Sequence, residues 1–479
     1  MWPTMRTSTA ALFGLLAIVT AHVDNKNRQG RQLVFPIVRS IEQPTPEYAR
    51  PSRRLESVIV ANRSDIAYYA RLTFGTPPQP QFVLLDTGSY ELWVNPDCTA
   101  LNNELDARFC QALGRYNASA SSTSLSLGES KTLQYGIGNA TFVYHKDTVG
   151  VSNSTELSLN NLQFGVATET EDAPSGILGL GYGKEVATKY PTFIDQLAEQ
   201  GTTSTKVFSI ALGGKEEEEG TLMFGGLDAG KFSGNLQTLP ILPPSQSPDQ
   251  RPRYWINLKA IGSSSEASNE AKTYEESRNL TVFLDTGSTM TLLPMALAKR
   301  IAADFGGSEP DDNGQFVVDC AMAQAERTLD FAFDGTTIRV PYSEMIREFG
   351  IGMGSVKCYL GVRGSDDFVL LGGSMLRSAY VVFDQTNNAI HLAQYVNCGS
   401  RAVEITADFD FKSTRGDCSP LLATDRPEVT SAIVSGNTPT SSTAIGPSES
   451  AVSSGSHSDI TFQGLWRIIA LACAMIFLH

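Results

Sequence analysis

Short apolar runs separated by glycine and proline dominate the hydrophobic pattern of this chain. Most of the runs are rich in Val, Ile, Phe and Tyr, and 41 glycines and 23 prolines are spread between them. Runs of this kind, bounded by turn-forming residues, are typical of β-strands. A few stretches have helical spacing instead, as in residues 192–199, where Phe193, Leu197 and Ala198 fall on one face. The pattern therefore predicts a mostly β protein with a few short helices.

One short sequence occurs twice in the chain. Residues 83–89 and 282–288, which are 199 positions apart, agree at six of seven positions, and both end in Asp-Thr-Gly-Ser. An apolar run followed by Asp-Thr-Gly places a carboxylate on a tight turn at the end of a buried strand. Because 479 residues are enough for two lobes, the two copies predict a duplicated fold that brings Asp86 and Asp285 together.

Two carboxylates a few ångströms apart cannot both be ionised at moderate pH. One keeps a proton and the other does not, so Asp86 and Asp285 supply a general acid and a general base from one residue type. Such a pair activates water without a metal. The chain contains neither His-Glu-x-x-His nor Gly-x-Ser-x-Gly, the motifs of zinc and serine hydrolases. The sequence therefore predicts no metal site and no cofactor.

Further motifs appear in a fixed order around the two copies, and together they resemble the pepsin-like aspartic proteases over residues 65–400. The shared elements are Tyr68 and Tyr69, residues 74–79, Trp93, and residues 135–138, 177–180 and 370–373. This resemblance implies an all-β, bilobal fold with pseudo-two-fold related lobes and a few short helices. We place the N-terminal lobe at residues 55–238 and the C-terminal lobe at residues 239–400.

The resemblance also implies roles for the residues around Asp86 and Asp285, which would be the catalytic dyad. The glycines let the backbone pass close to the carboxylates, the serines hydrogen-bond the outer carboxylate oxygens, and the threonines tie the two loops together. These supporting residues are Thr87, Gly88, Ser89, Thr286, Gly287 and Ser288. A flap over the substrate is expected at Tyr135, Gly136 and Gly138, with the Tyr135 hydroxyl reaching Trp93.

Charge is distributed unevenly along the chain. The formal net charge is −14, but residues 1–54 hold 8 of the 37 Lys and Arg and only 3 of the 51 Asp and Glu, so the remainder carries 29 − 48 = −19. An acidic body argues against nucleic acid as a partner. It fits a protein that works at low pH, and it fits an ordinary soluble acidic surface equally well.

The N-terminus has the features of processing signals. Arg6, the apolar residues 10–19 and the small residues ending at Ala21 predict a signal peptide over residues 1–21. Residues 22–54 are polar and basic, and they resemble the propeptides that cover the acidic cleft in zymogens of this family. Arg53 and Arg54 form a candidate dibasic processing site. The alternative is a basic surface segment without an inhibitory role.

The C-terminus predicts attachment to the cell surface. After an extension at residues 401–429, residues 430–456 are rich in Ser and Thr and form a predicted stalk. Residues 457–479 combine a polar spacer with a terminal apolar segment, which is the pattern of a GPI-anchor signal, with Ser453 or Ser454 as the ω site. A tail-anchored transmembrane helix is the alternative. The anchor suggests the yapsin-like branch of GPI-anchored fungal proteases.

Seven cysteines and five glycosylation sequons agree with secretion. Cys473 lies in the segment that GPI transfer would remove, and the other six allow 15 connectivities. The family resemblance favours three pairs, Cys98–Cys110, Cys320–Cys358 and Cys398–Cys418. The sequons lie at Asn62, Asn117, Asn139, Asn153 and Asn279.

These observations predict a monomeric, secreted aspartic endopeptidase that cleaves proteins or peptides at acidic pH and is inhibited by pepstatin-type ligands. Its location would be the plasma membrane or cell wall. The alternative is a catalytically silent protein of the same fold with a binding or wall-organising role. Two departures from the family keep that alternative open, the sequon beside the flap at Asn139 and the bulky Tyr90. The acidic residues 216–219 are either a solvated turn or a site that attracts basic substrates.

Overall fold

The computed structural model describes residues 33–39, 67–95, 98, 104–136, 138–151, 158–171, 173–217, 219–265, 270–307, 309–311, 314–350 and 356–419. Several predicted features lie outside these residues. They are the signal peptide, most of the propeptide, the stalk, the GPI-anchor signal with Ser453 and Ser454, and the sequons at Asn62 and Asn153.

Strands make up about half of the described chain. In its first half they are β1 (Leu33–Arg39), β2 (Tyr68–Phe74), β3 (Gln79–Asp86), β4 (Leu92–Val94), β5 (Leu125–Gln134), β6 (Asn139–Val151), β7 (Ser158–Glu171), β8 (Gly176–Gly179), β9 (Val207–Ala211), β10 (Glu219–Phe224), β11 (Gly226–Asp228) and β12 (Phe232–Pro240). In its second half they are β13 (Trp255–Leu258), β14 (Ala260–Ser265), β15 (Glu270–Tyr274), β16 (Leu280–Leu284), β17 (Thr291–Leu293), β18 (Gln315–Val318), β19 (Arg327–Ala332), β20 (Thr337–Pro341), β21 (Ile346–Gly350), β22 (Val356–Gly364), β23 (Leu370–Leu371), β24 (Ala379–Asp384), β25 (Ala389–Tyr395) and β26 (Ala402–Glu404).

The helices are short. The α-helices are α1 (Glu104–Ala112), α2 (Phe193–Glu199), α3 (Met295–Asp304), α4 (Tyr342–Met345) and α5 (Gly373–Leu376). Short 3₁₀-helices occur at Ala118–Ala120, Ala229–Lys231, Pro244–Gln246, Glu275–Ser277 and Cys320–Gln324. Helix α2 lies where the sequence predicted one. It buries Phe193 and Leu197, whereas Ala198 is only half-buried.

The largest sheet has 13 strands in the order β12-β25-β24-β9-β10-β1-β2-β3-β8-β4-β7-β6-β5. Strand β24, from the C-terminal part of the chain, pairs antiparallel with both β9 and β25. The two halves of the chain are therefore joined through shared backbone hydrogen bonds. The lobe boundary expected between residues 238 and 239 falls within β12, so this sheet continues across it.

The two copies of the repeated sequence lie in equivalent strand arrangements. In the first half, β3 runs parallel to β8, and β4 runs antiparallel to β8 and parallel to β7. In the second half, β16 runs parallel to β23, and β17 runs antiparallel to β23 and parallel to β22. This repetition, within a mostly β structure, confirms the predicted bilobal fold with pseudo-two-fold related lobes.

Burial explains why both copies begin with an apolar run. Strands that are covered on both faces need apolar side chains at successive positions. Val83, Leu84 and Leu85 are all buried, as are Val282, Phe283 and Leu284. Each run therefore forms the interior of its lobe, and the polar residues that follow it begin where the strand ends.

Both ends of the described chain are joined to the rest of the protein by strand pairing. Strand β1, from the segment expected to be the propeptide, lies between β10 and β2 and pairs antiparallel with both. Residues 401–419 fold back along the protein, where β26 pairs with β11. Phe411 stacks on His391 with ring centroids 3.6 Å apart. The segment after the second lobe is therefore part of the folded body.

The described residues contain three disulfides, Cys98–Cys110, Cys320–Cys358 and Cys398–Cys418. The third encloses β26 and closes the folded-back segment onto the end of the C-terminal lobe. Within the described residues, no helix is both long enough and apolar enough to cross a membrane.

Candidate active site

Asp86 and Asp285 stand at equivalent points of the two lobes. Asp86 is the last residue of β3 and lies opposite Gly179 of β8. Asp285 directly follows β16, and its N–H donates to Leu371 O of β23 at 3.0 Å. Their exposed fractions are 1% and 0%. The paired parallel strands therefore deliver two carboxyl groups, one from each lobe, into the interior.

Each carboxyl group receives the same pair of hydrogen bonds. The Gly88 N–H donates to Asp86 Oδ1 at 2.8 Å, and the Ser89 hydroxyl donates to Asp86 Oδ2. In the second lobe, the Gly287 N–H donates to Asp285 Oδ1 at 2.9 Å. The Ser288 hydroxyl donates to Asp285 Oδ2 at 2.8 Å. These bonds fix the orientation of both carboxyl planes and favour their ionised forms.

The two loops are joined by Thr87 and Thr286. Each threonine N–H donates to the hydroxyl of the other, at 3.1 Å for the Thr87 N–H and 3.0 Å for the Thr286 N–H. The Thr87 hydroxyl donates to Leu284 O and the Thr286 hydroxyl donates to Leu85 O, both at 2.9 Å. Four hydrogen bonds thus cross between the lobes directly behind the carboxyl groups.

The glycines are required because each lies against the aspartate of the other lobe. A Cβ on Gly88 would be 2.7 Å from Asp285 Oδ1, and a Cβ on Gly287 would be 2.6 Å from Asp86 Oδ1. Both distances are too short for non-bonded atoms. Only glycine therefore allows the two carboxyl groups to lie this close together.

The surroundings of the pair favour holding a proton. Burial is the largest effect and raises the pKa of both Asp86 and Asp285. The negative charge of Asp86 raises the pKa of Asp285 further, while hydrogen bonds from Ser89 and Gly88 limit the rise in the pKa of Asp86. Two carboxyl groups that interact this strongly titrate as a pair rather than independently.

Sequence reasoning did not identify Arg253, which lies next to the Asp86 loop. Its Nη1 donates to Gly88 O at 2.6 Å, and its Nε donates to Asp249 Oδ2 at 2.6 Å. The guanidinium charge helps to lower the pKa of Asp86, against the larger effect of burial. A single arginine in a loop far along the chain has no sequence signal that would link it to this site.

Tyr135 and Trp93 are in direct contact. Trp93 Nε1 donates to the Tyr135 hydroxyl at 2.6 Å, and both side chains are buried. Tyr135 begins the turn between β5 and β6, which together we call the flap hairpin. The Tyr135 N–H donates to Gly138 O at 3.0 Å, and Gly138 has a φ of 74°, a conformation that favours glycine. Gly136 is exposed in the same turn.

The structure also describes the surroundings of Tyr90 and Asn139, the two departures from the family pattern. Tyr90 is half-buried, and the Lys131 ammonium group lies 5.1 Å from the centre of its ring. The Asn139 side-chain amide donates to Glu171 Oε2 at 2.7 Å. Among the other sequons, Asn117 and Asn279 are exposed. In the acidic turn, Glu216 is exposed, whereas the Glu217 carboxylate accepts a hydrogen bond from the Tyr395 hydroxyl at 2.8 Å.

A bilobal β fold that joins two Asp-Thr-Gly loops behind a pair of buried carboxyl groups defines the class of aspartic peptidases. The family model "Eukaryotic aspartyl protease" matches residues 67–395. The chain belongs to this family and is an aspartic-type endopeptidase.

Several relatives support this assignment. The chain is 34% identical over 342 residues to "Secreted aspartic protease 3" of Candida albicans, a match that covers 69% of this chain and 79% of that protein. It is 30% identical over 358 residues to "Probable aspartic-type endopeptidase opsB" of Aspergillus oryzae, with 72% of each covered. The solved structure of the aspartic proteinase from Irpex lacteus has the same fold. It matches with a TM-score of 0.56 and 24% identity, covering 69% of this chain and 95% of that one.

Proposed function

We propose that Asp86 and Asp285 are the catalytic dyad of a secreted endopeptidase that works at acidic pH. The observation that carries this proposal is the reciprocal hydrogen bonding of Thr87 and Thr286, which fixes both carboxyl groups in one buried cluster. Burying two carboxyl groups without a cation between them lowers the stability of the folded protein. Their pairing here is the arrangement that acid–base catalysis requires.

In the proposed mechanism, one water molecule lies between the two carboxyl groups. The ionised aspartate takes a proton from this water as the water oxygen attacks the scissile carbonyl carbon. The protonated aspartate donates to the carbonyl oxygen and stabilises the tetrahedral intermediate. Ser89 and Ser288 hold the outer oxygens, so that the inner oxygens face the water and the substrate.

The pH range follows from the shared proton. Because burial raises the pKa of both aspartates, the singly protonated pair persists above the ordinary titration range of aspartate. Activity should fall at low pH when the pair takes up a second proton. It should fall again at higher pH when the shared proton is lost.

The substrate would lie extended under the flap hairpin. An extended peptide can form backbone hydrogen bonds with an exposed strand edge or hairpin, and its alternating side chains then point into separate pockets. The hydrogen bond from Trp93 orients the Tyr135 hydroxyl at the turn of this hairpin. Pepstatin-type ligands would occupy the same cleft.

The remaining parts of the proposal concern processing and location. We infer a signal peptide at residues 1–21, a propeptide at residues 22–54 and a GPI anchor at Ser453 or Ser454, which would hold a monomeric, yapsin-like enzyme at the cell surface. The name of the Candida albicans relative supports secretion. The basic composition of residues 22–54 supports a masking role over the acidic body.

Site-directed variants of the matured full chain test the dyad. Asp86→Asn and Asp285→Asn should each abolish pepstatin-sensitive cleavage of a peptide library between pH 3 and 7. The matched control is Asp334→Asn, because the Asp334 side chain is 81% exposed and far from the site in sequence. Turnover retained by folded Asp285→Asn protein would refute the dyad. No cleavage by wild-type protein freed of its propeptide would instead favour a silent binding role.

The anchor requires a separate experiment. Phosphatidylinositol-specific phospholipase C should release the protein from intact cells, with cleavage of a known GPI-anchored protein as the control. Protein that stays attached after this treatment would contradict a simple GPI anchor. Attachment through a transmembrane tail or to the wall would then replace it.

A further inference from the structure

A third buried carboxylate lies beside the Asp86 loop. The Glu91 side chain is 2% exposed. Lys131 Nζ and the Tyr144 hydroxyl each donate to Glu91 Oε1 at 2.8 Å, and the Tyr190 hydroxyl donates to Glu91 Oε2. An unpaired carboxylate at such a site would destabilise the protein. One cation and two hydroxyl groups satisfy this one.

Two of these three donors come from the flap hairpin, one from each of its strands. Lys131 lies on β5, four residues before Tyr135, and it is opposite Phe142 of β6. Tyr144 lies two residues beyond Phe142, so both side chains are on the same face of β6. Their rings are in edge contact, with centroids 5.2 Å apart. Glu91 is therefore bonded to both strands of the hairpin, below its turn.

The backbone of Glu91 is fixed relative to the dyad. The Gly179 N–H donates to Glu91 O at 3.0 Å, and Gly179 lies opposite Asp86 in the pairing of β3 with β8. Two residues after Glu91, Trp93 donates to the Tyr135 hydroxyl. Residues 91–93 thus hold the hairpin at two points, through Glu91 below the turn and through Trp93 at the turn.

We propose that Glu91 is a positioning residue that holds the flap hairpin in place over the dyad through Lys131 and Tyr144. This inference rests on the proposed endopeptidase function. Glu91 takes no part in the chemical step, because its carboxylate is occupied by three donors. Its effect is on where the hairpin lies when substrate binds. Loss of the contact should weaken binding of the ground state and the transition state together, which raises KM and leaves kcat little changed.

Four single variants of the full chain, matured and titrated for active sites, test this inference. Glu91→Gln keeps the shape of the side chain without its charge, and Lys131→Met removes the paired cation. Lys131→Arg keeps the cation. Lys146→Met is the matched control, since Lys146 is half-buried on the same hairpin and forms no ion pair within the described residues.

Glu91→Gln and Lys131→Met should each raise KM about tenfold and change kcat less than about twofold. Lys131→Arg and Lys146→Met should behave like wild type. If Lys131→Met does not fold because it leaves Glu91 charged and unpaired, the double variant Glu91→Gln/Lys131→Met removes both charges and gives the same measurement. A purely structural Glu91 would lower the titrated amount of active enzyme and leave KM unchanged, and that outcome would overturn the proposal.

Hydrogen exchange separates failure of this inference from failure of the proposed function. Amides in residues 125–144 should exchange faster in Glu91→Gln than in wild type, whether or not either protein cleaves peptides. If wild type cleaves nothing, the endopeptidase function fails, and the exchange rates still decide on the role of Glu91. Equal exchange in the two proteins would refute the positioning role.

Discussion

Thr87 and Thr286, 199 residues apart in sequence, exchange hydrogen bonds between the N–H of one and the hydroxyl of the other, at 3.1 and 3.0 Å. Each hydroxyl also donates to a strand carbonyl of the other lobe, at Leu284 or Leu85. Neither loop can move without breaking bonds in both lobes. The separation of Asp86 and Asp285 is therefore set by the packing of the two lobes.

The first prediction concerns this link. Thr286→Val keeps the side-chain shape but leaves the Thr87 N–H and Leu85 O without partners in a buried place. The free energy of unfolding should fall by about 2–6 kcal/mol, since each of the two unsatisfied groups costs about 1–3 kcal/mol. Urea unfolding measures this change. Thr286→Ser retains the hydroxyl, so its free energy of unfolding should fall much less. Equal stability of the Val and Ser variants would show that the link contributes nothing.

The second prediction concerns the space between the carboxyl groups. Gly88→Ala places a methyl group 2.7 Å from Asp285 Oδ1, so one carboxyl group must move. Displacement of the carboxyl group by up to about 1 Å should lower kcat/KM by about 100-fold. Kinetics with active-site-titrated enzyme measure this loss. Gly214→Ala is the control, because its Cβ would meet Glu344 at an ordinary 3.4 Å. An unchanged kcat/KM in Gly88→Ala would mean that the loops adapt freely.

The third prediction concerns the dependence of stability on pH. Burial raises the pKa of the dyad in the folded protein, so the folded state binds the proton more tightly than the unfolded chain does. The free energy of unfolding that this tighter proton binding contributes is complete below about pH 4, the ordinary aspartate pKa. It is lost as pH rises towards the raised pKa of the folded protein, at a rate of about 1.4 kcal/mol per pH unit.

Thermal unfolding of wild type and Asp285→Asn between pH 3 and 8 checks this. The difference in unfolding temperature should change in favour of the variant as pH rises. Other carboxylates behave in the opposite way, since hydrogen bonds outweigh burial and lower the pKa of Asp147 and Asp195. Because both proteins contain these groups, their effect cancels in the difference. Parallel curves would contradict a proton held by the dyad.

The fourth prediction concerns the segment after the second lobe. The Cys398–Cys418 disulfide closes a loop with a sequence separation of 20 residues around β26. Replacing both cysteines by serine should lower stability by about 3 kcal/mol in the loop-entropy treatment. Hydrogen exchange should show the largest change at residues 401–418. Unchanged exchange there would mean that β26 and Phe411 hold the segment without the disulfide.

The sequence predicted the fold well because its local signals were consistent. Short apolar runs between turn residues predicted strands, and the spacing before Glu199 predicted helix α2. The repeated heptapeptide predicted two related lobes. Other features had no local signal. Neither β24 nor β25 carries a residue pattern that reveals its pairing with strands from the first half of the chain.

The candidate site shows the same division. Repetition marked Asp86 and Asp285, and the structure brings them together with their supporting residues. The roles of Arg253 and Glu91 could not be predicted, since each is a single charged residue whose partners lie elsewhere in the sequence. The donors to Glu91 are 40, 53 and 99 residues away.

By itself, the sequence determined which residue types end each buried strand, and with them the class of chemistry. The reason is that strand formation, turn formation and carboxylate chemistry all depend on neighbouring residues. Only the tertiary structure decided how close the carboxyl groups lie, which cation is next to Asp86, and which carboxylate holds the flap hairpin. Burial and hydrogen bonding between distant segments set these properties, and they exist only once the lobes have packed together.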